Sequence, residues 1–339
     1  MRKGVRAILA ASVLILSAAE ISDAAGVVRI GAASNTGSLV AFVGVDKGFF
    51  AKHGIDGKVV VRNTGPELSK SLNAGEIDFA PTALAIVPVA LERGLNVRSI
   101  VGFVGSSYIK PTDDNMLGIV VQPGSAINSV ADLKGKKVGI TFGTSADFYF
   151  QEILKKNKLP LSALTRMNVP PLTALSLFDG GGAEAMVIWE PYLTSILDKV
   201  KGSKIILRGG DHVCFCASMH AIPSNIYKDP DLTQRVVHAM SEAAAFVRDP
   251  KNLDEVGRIG ARYVRGMDAE LIKRTHKYWV YDMRIGKNTF MAFNDSVKQL
   301  IAQKKMKKPF DPARYYDITF IKRTMELHPE WFKDLPGES

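Results

Sequence analysis

The sequence predicts an α/β fold of two lobes, each a mostly parallel sheet with helices on its faces. Three observations carry that expectation. Short apolar runs alternate with helix-like segments over connections of a few residues, the grammar of a parallel sheet covered on both sides. The same order of elements recurs in two stretches of the chain. At 339 residues, 46% hydrophobic and 23% charged, the chain is long enough for two compact domains at ~100–200 residues each. That ordinary balance excludes a disordered tail, a collagen-like fibre and a multi-span membrane protein. Two cysteines exclude a disulfide-rich scaffold.

The first lobe begins with Val27-Val28-Arg29-Ile30-Gly31 as a strand, followed by the polar turn 34–37 and a helix from Leu39 that stops near Gly44 or Gly48. Val59-Val60-Val61 is a second strand. Gly65-Pro66-Glu67 opens a helix with Leu68 and Leu72 on one face, closed by Asn73-Ala74-Gly75. Ile77-Asp78-Phe79-Ala80 reads as a third strand, Pro81-Thr82 as the start of another helix, and residues 97–104 as a fourth strand. In the second lobe Lys137-Val138-Gly139-Ile140 leads into Gly143-Thr144-Ser145-Ala146-Asp147 and a helix to about Lys156. Residues 165–169 form a strand, Pro170-Pro171 opens a helix towards Phe178, and Ala185-Met186-Val187-Ile188 returns as a strand that ends at Trp189-Glu190-Pro191. In open parallel sheets ligands collect beyond the carboxyl ends of the strands, where helix N-termini present free N–H groups. Two such lobes face to face would share one site.

The polar stretch 106–115, with Pro111, Asp113 and Asp114, suits a crossing between the lobes. From about Pro230 the pattern is helical over 231–247, 252–264 and 268–280, and the tail from Lys308 reads as a strap of short pieces. The expected organisation is a first part of lobe 1 over 27–107, lobe 2 over 108–210, and a return to lobe 1 with C-terminal helices over 211–339.

The N-terminus has the three parts of a secretory signal peptide: Arg2, Lys3 and Arg6, then an uncharged and mostly apolar run over 7–19, then Ser22-Asp23-Ala24 with small residues at a cleavage site. The run is too short for the ~20 residues of a membrane span. Residues 1–24 are therefore expected to be removed, leaving a soluble protein in an exported compartment, most simply a bacterial periplasm. The net charge of +10, from 44 basic and 34 acidic residues, is scattered apart from Lys304-Lys305-Met306-Lys307-Lys308. No helix carries a sustained basic face, so a solvated surface is expected and nucleic acid is not.

Several motifs, taken in order, carry a family resemblance. Gly48-Phe49-Phe50-Ala51-Lys52-His53-Gly54-Ile55 comes first, then Gly75-Glu76-Ile77-Asp78-Phe79-Ala80, then the stretch 129–139, then 143–147, then Ile188-Trp189-Glu190-Pro191-Tyr192. Over roughly 27–200 the chain resembles the substrate-binding proteins of ABC importers of the nitrate, sulfonate and taurine type, with binders of thiamine-pyrimidine precursors among the relatives. The resemblance implies a type II periplasmic-binding-protein clamshell that closes on a small-molecule solute and delivers it to an ABC permease in the inner membrane. It implies a monomer without enzymatic activity or cofactor.

The expected ligand-binding residues lie at the carboxyl ends of strands and the starts of helices. Thr144 and Ser145 can offer hydroxyls and N–H groups to an oxyanion. Ser34, Asn35 and Thr36 offer the same chemistry from the first lobe, and Thr82 follows a strand end. Trp189 can stack on a ligand, and Glu190 can pair with a ligand amine, as a taurine-like zwitterion requires. Each of these could instead cap a helix, pack on the rim or sit in an ion pair. Hydroxyl and N–H donors suit sulfonate or nitrate, but Glu190, Asp147 and Asp211 would repel a bare anion. That leans the reading towards a zwitterion or a neutral heterocycle.

His212-Val213-Cys214-Phe215-Cys216 stands apart. On a strand, His212, Cys214 and Cys216 would share a face with His220 shortly beyond, and soft ligands at that spacing can hold a metal. Cys-Phe-Cys also resembles the end of the cysteine-rich motif of iron-dependent thiamine-pyrimidine synthases of this fold, although the preceding cysteines of that motif are absent. Two small buried thiols beside an unrelated histidine are the plainer expectation, a disulfide two residues apart being strained. The serine-hydrolase elbow, the zinc-protease helix motif, the P-loop and the dinucleotide fingerprint are all missing. The expectation is a binding component for a small sulfonate, taurine-like or related solute, with a metal-dependent synthase-like enzyme built on Cys214 and Cys216 as the alternative.

Overall fold

The computed structural model describes residues 26–338, so the expected signal peptide lies outside the described residues. Among the described residues ten strands form one five-stranded sheet in the second lobe and two linked pieces, of two and three strands, in the first: β1 (Val28–Ala33), β2 (Gly57–Arg62), β3 (Ala80–Ala83), β4 (Arg98–Val104), β5 (Leu117–Val121), β6 (Lys137–Ile140), β7 (Thr165–Asn168), β8 (Ala185–Trp189), β9 (Lys204–Arg208) and β10 (Ala217–Ala221). In the first lobe β1 and β2 run parallel, and β3, β10 and β4 lie side by side. The two pieces join where Ile30 bridges Phe79 and the Gly31 N–H donates to the Phe79 carbonyl at 2.7 Å. The second lobe has the order β7-β6-β8-β5-β9.

Each sheet is parallel except for one strand. β10 runs against β3 and β4, and β5 runs against β8 and β9. Both are the first strand after the chain changes lobe. A chain arriving from the other lobe crosses beside the cleft and enters its new sheet at the end where that sheet's parallel strands finish. It must therefore run against them.

Valine- and isoleucine-rich runs such as Ile119-Val120-Val121 are buried on both faces, as strands between two helical layers must be. In the first lobe the long helix Pro230–Arg248 packs on Leu39–Asp46, and Thr319–Leu327 packs on β4. The return segment therefore completes the core begun by residues 28–104.

Three local expectations are corrected. Pro81 and Thr82 do not start a helix; they sit in β3, paired with Met219 and Ser218, and the helix begins at Val87. Proline is tolerated there because the bridge on the strand's other flank ends at Phe79. The helix expected over 268–280 stops at His276. Beyond it Trp279 and Tyr281 are buried, and the Tyr281 hydroxyl donates to the Thr36 carbonyl at 2.9 Å, which holds the segment off the helical path. The residues around Cys214 form no strand and make a single bridge to Asp113.

That bridge belongs to the double crossing between the lobes. The Asp113 N–H donates to the Val213 carbonyl at 3.1 Å, and the Phe215 N–H donates to the Asp113 carbonyl at 2.7 Å. The Asp113 carboxylate accepts from the Ser106 N–H at 2.8 Å. The neighbouring Asp114 carboxylate accepts from the N–H groups of Asp211, His212 and Val213 at 3.0, 2.6 and 3.2 Å. Both aspartates are buried. Burial pushes the Asp113 pKa up, against the pull of the Ser106 N–H.

His220, in the middle of β10, is fully buried between the Tyr315 hydroxyl at 3.0 Å and Thr82 Oγ1 at 3.5 Å. Burial pushes its pKa down from 6.5 to about 3. A histidine that stays neutral in the fold but protonates in the unfolded chain costs stability as pH falls from 6.5, by at most about 1.4 kcal/mol per pH unit, with no further loss below its folded value. The urea midpoint should therefore fall steadily from neutral pH towards about pH 4. A His220→Gln variant should start lower at neutral pH and show a shallower acid slope. An unchanged slope would remove His220 as its source.

Candidate functional site

Between the lobes, at the carboxyl ends of β1 and β8, lies a cavity of about 60 Å³. That is room for about four to six water-sized groups. The first lobe contributes Asn35, Gly37, Ser38, Asn63 and Thr64, and the second contributes Thr144, Ser145 and Trp189. Phe215 enters from the crossing and Trp279 from the return segment. No ionisable side chain lines it.

Helix ends supply its polarity. Three α-helix starts among the described residues carry a side-chain cap: Asp229 accepts from the Leu232 N–H, Asp268 from the Leu271 N–H, and Thr64 from the Glu67 N–H. The two helices that start at the cavity's opposite walls do not. The turn Thr36–Ser38 runs directly into Leu39–Asp46, with the Leu39 N–H donating to the Thr36 carbonyl; Asn35, which opens the turn, makes no side-chain cap, and the Ser38 hydroxyl accepts from the Ala33 N–H at 2.9 Å. Thr144 precedes Ser145–Lys156, but its hydroxyl donates to the Thr141 carbonyl at 2.7 Å. Each lobe thus presents an uncapped helix N-terminus with its partial positive charge.

The apolar walls are aromatic. Phe215 lies between the two tryptophans, 6.5 Å from Trp189 and 5.4 Å from Trp279, with interplanar angles of 42° and 79°. The three rings together form an aromatic wall of the cavity. Trp279 seats there because residue 37 is glycine: a Cβ at that position would lie 2.6 Å from the indole ring. The indole nitrogens of Trp189 and Trp279 are buried and have no hydrogen-bond partner among the described residues. Each such donor costs roughly 1–3 kcal/mol until something accepts from it.

The expected site residues divide. Asn35, Thr144, Ser145 and Trp189 line the cavity. Ser34 and Thr36 are buried directly behind it, with hydroxyl oxygens that have no partner among the described residues. Thr82 lies outside this cavity and lines a larger neighbouring one, bonded to Ser69 Oγ at 3.3 Å. Glu190 also stays out of the lining. It is fully buried, ion-paired with Arg208 at 2.6 Å, and accepts from the Thr194 N–H and hydroxyl at 3.0 and 2.9 Å. Burial pushes its pKa up while Arg208 and Thr194 pull it down. The Arg208 guanidinium in turn covers the Tyr278 ring at 4.0 Å.

The other acids that argued against an anion are neutralised in the same way. Asp147 sits between Arg166 at 3.4 Å and Lys305 at 3.2 Å, and Asp211 pairs with Lys110 at 3.1 Å.

Sequence reasoning missed Ser38, Thr64, Phe215 and Trp279. Thr64 carried a signal, standing where a helix opened by Gly65-Pro66 needs its cap. Phe215 was hidden inside the Cys-Phe-Cys string. Trp279 is brought in by tertiary packing alone. Cys214 and Cys216 are joined as a disulfide, correcting the expected pair of free thiols. A disulfide has no thiolate to give a metal, and His220 is committed to Tyr315 and Thr82.

Direct contacts also hold the lobes together. The Tyr192 hydroxyl donates to the Ser34 carbonyl at 2.7 Å, Arg274 pairs with Asp198, and the Gln303 amide donates to Glu152 at 2.8 Å. These contacts bridge the cleft.

The sequence model of the family described as NMT1/THI5 like matches residues 35–252. A protein of Brucella abortus named as a binding protein is 26% identical over 316 residues, covering 85% of this chain and 89% of its own length. A Bacillus subtilis protein whose name assigns it to aliphatic sulfonates is 25% identical over 341 residues, covering 97% of this chain and 98% of its own. Among solved structures, the alkanesulfonate-binding protein of Xanthomonas axonopodis pv. citri superposes with a TM-score of 0.73 at 21% identity, covering 86% of this chain and 98% of that one.

Glu190 should act on stability. Glu190→Gln leaves Arg208 facing a neutral amide in a buried pair and should cost about 3–5 kcal/mol in urea unfolding. Glu190→Gln combined with Arg208→Met should recover part of that loss. A single variant as stable as the parent would show that the pair does not hold β8 to β9.

Proposed function

The chain belongs to the NMT1/THI5-like family, and from that premise we propose that it is the solute-binding component of an ABC importer, working in the periplasm after removal of residues 1–24. Its solute is a small alkanesulfonate-like anion. The observation that carries this reading is the pair of uncapped helix N-termini, one from each lobe, meeting at an aromatic cavity without an ionised side chain. Backbone N–H groups and helix dipoles hold an oxyanion without a countercharge. The unpaired indole donors of Trp189 and Trp279 add two more. The aromatic and aliphatic walls suit a short alkyl tail.

Asn35, Thr144, Ser145 and Trp189 contact the ligand in this reading, with Ser34 and Thr36 behind them. Pairing of Glu190, Asp147 and Asp211 with cations removes the repulsion that favoured a zwitterion. The ammonium of taurine would find no carboxylate in the lining, so taurine is expected to bind more weakly than ethanesulfonate. A flat pyrimidine is disfavoured by the crossed rings.

The mechanism is closure. A solute touching Ser38 on one side and Ser145 on the other is bound by both lobes only when they meet. It therefore shifts the population towards the closed form that a permease partner would recognise. No helix among the described residues is long and apolar enough to cross a membrane, so passage through the bilayer is left to that partner.

In a thermal-shift screen, ethanesulfonate should raise the midpoint, taurine less at equal concentration, and an aminopyrimidine not at all. A rise with the aminopyrimidine alone would overturn the sulfonate reading. Ser145→Pro tests the helix end directly. Proline is tolerated at a first helical position and the extended backbone of Thr144 accommodates it, so relative to Ser145→Ala, which removes the hydroxyl alone, the substitution removes one N–H and leaves the helix in place. Against Ser145→Ala, calorimetry should show ethanesulfonate affinity weakened by about 1.5–3 kcal/mol, the worth of one hydrogen bond to a charged group. Unchanged affinity would place the anion elsewhere.

A further inference from the structure

Past Ile86 and Thr144, which border both, the small cavity gives way to a second and larger one of about 700 Å³. Its walls come from helix Gly65–Asn73, from the segment following β3, and from Phe142 and Phe148 of the second lobe. Its character is different. Lys70, Arg93 and Lys305 line it, and no acidic side chain does.

Lys70 and Arg93 are exposed and have no ion-pair partner among the described residues. Lys305 reaches Asp147 at 3.2 Å. It belongs to the run Lys304-Lys305-Met306-Lys307-Lys308, which is pinned beside Arg93 because Glu92 accepts from the N–H groups of Lys307 and Lys308 at 2.9 and 3.0 Å. The one dense basic stretch of the chain is thus anchored at the mouth of the cleft.

A lone short-chain anion held at the helix ends would leave this basic cavity empty, with Lys70 and Arg93 in no ion pair among the described residues. We propose that the outer cavity is a second anion subsite, and that the solute is a dianion. One oxyanion head sits between the two helix ends, and a carboxylate or second sulfonate sits at the end of a short alkyl chain against Lys70 and Arg93. The inference rests on the sulfonate reading above and narrows its substrate class to sulfocarboxylates and disulfonates.

Calorimetry on the full mature chain at low ionic strength tests it. The probes are straight-chain alkanesulfonates from propane to hexane and the same chains carrying a terminal carboxylate. At one chain length the sulfocarboxylate should bind about tenfold more tightly than its parent sulfonate, the worth of one charge-assisted contact. That preference should shrink as salt is added. The Lys70→Gln/Arg93→Gln double variant should lose the preference and bind the parent sulfonate as the wild type does. Both positions are exposed, so folding is not at stake.

Equal affinity for the two series, or a preference that survives in the double variant, would overturn the second subsite and leave the sulfonate reading standing. Binding of neither series would overturn the sulfonate reading, and this inference with it.

Discussion

The arrangement of this molecule depends on two adjacent carboxylates where the chain crosses between its lobes. Asp113 and Asp114 are buried, and between them they accept from Ser106, Asp211, His212 and Val213, so that one residue pair grips both crossing segments. Buried carboxylates are stable only when their lone pairs are satisfied, and backbone N–H groups satisfy them here without bringing in another charge. The consequence reaches well beyond the crossing. The Phe215 N–H bonds to the Asp113 carbonyl, and this places the Phe215 ring between Trp189 and Trp279. The same residues that join the lobes therefore build one wall of the cavity between them.

A second rule runs through the site: three acids near the cleft are each matched by a cation, and no cation lines the small cavity itself. Glu190 is spent on Arg208, Asp147 on Arg166 and Lys305, and Asp211 on Lys110. What remains at the cavity is the field of two helix ends, which is directional; at the second, Asp147 in the first turn accepts from the Gly143 N–H and is shared with Arg166 and Lys305. Formal charge returns only in the outer cavity, and there it is all of one sign. The cleft is graded from neutral donors inside to lysine and arginine outside.

The fold was legible in the sequence because its signals are local. Apolar runs set β1, β2 and β4 to within a residue or two, and Gly65-Pro66-Glu67 marked a helix start correctly. The misreadings also have local causes. Pro81-Thr82 carries the same signature as a helix start, and only the neighbouring β10 shows it to be strand. Trp279 sat in a plausible helical pattern until the contact of Tyr281 with Thr36 drew the segment straight. At the site, polar residues at strand ends were found by position, but position could not say which way each side chain faces. Trp189 and Glu190 are neighbours, and one lines the cavity while the other is tied to Arg208.

Amino-acid order alone thus determined the alternation of strands and helices and the two-lobed plan. Those depend on backbone preference and hydrophobic period, which act over a few residues. Tertiary structure alone decided the direction of β5 and β10, the pairing of Cys214 with Cys216, the arrival of Trp279 against Gly37, and which charges are left to face a solute. Each of those is set by a partner tens to hundreds of residues away or by the crossing geometry, and a charge is free or spent according to what the folded chain lays beside it.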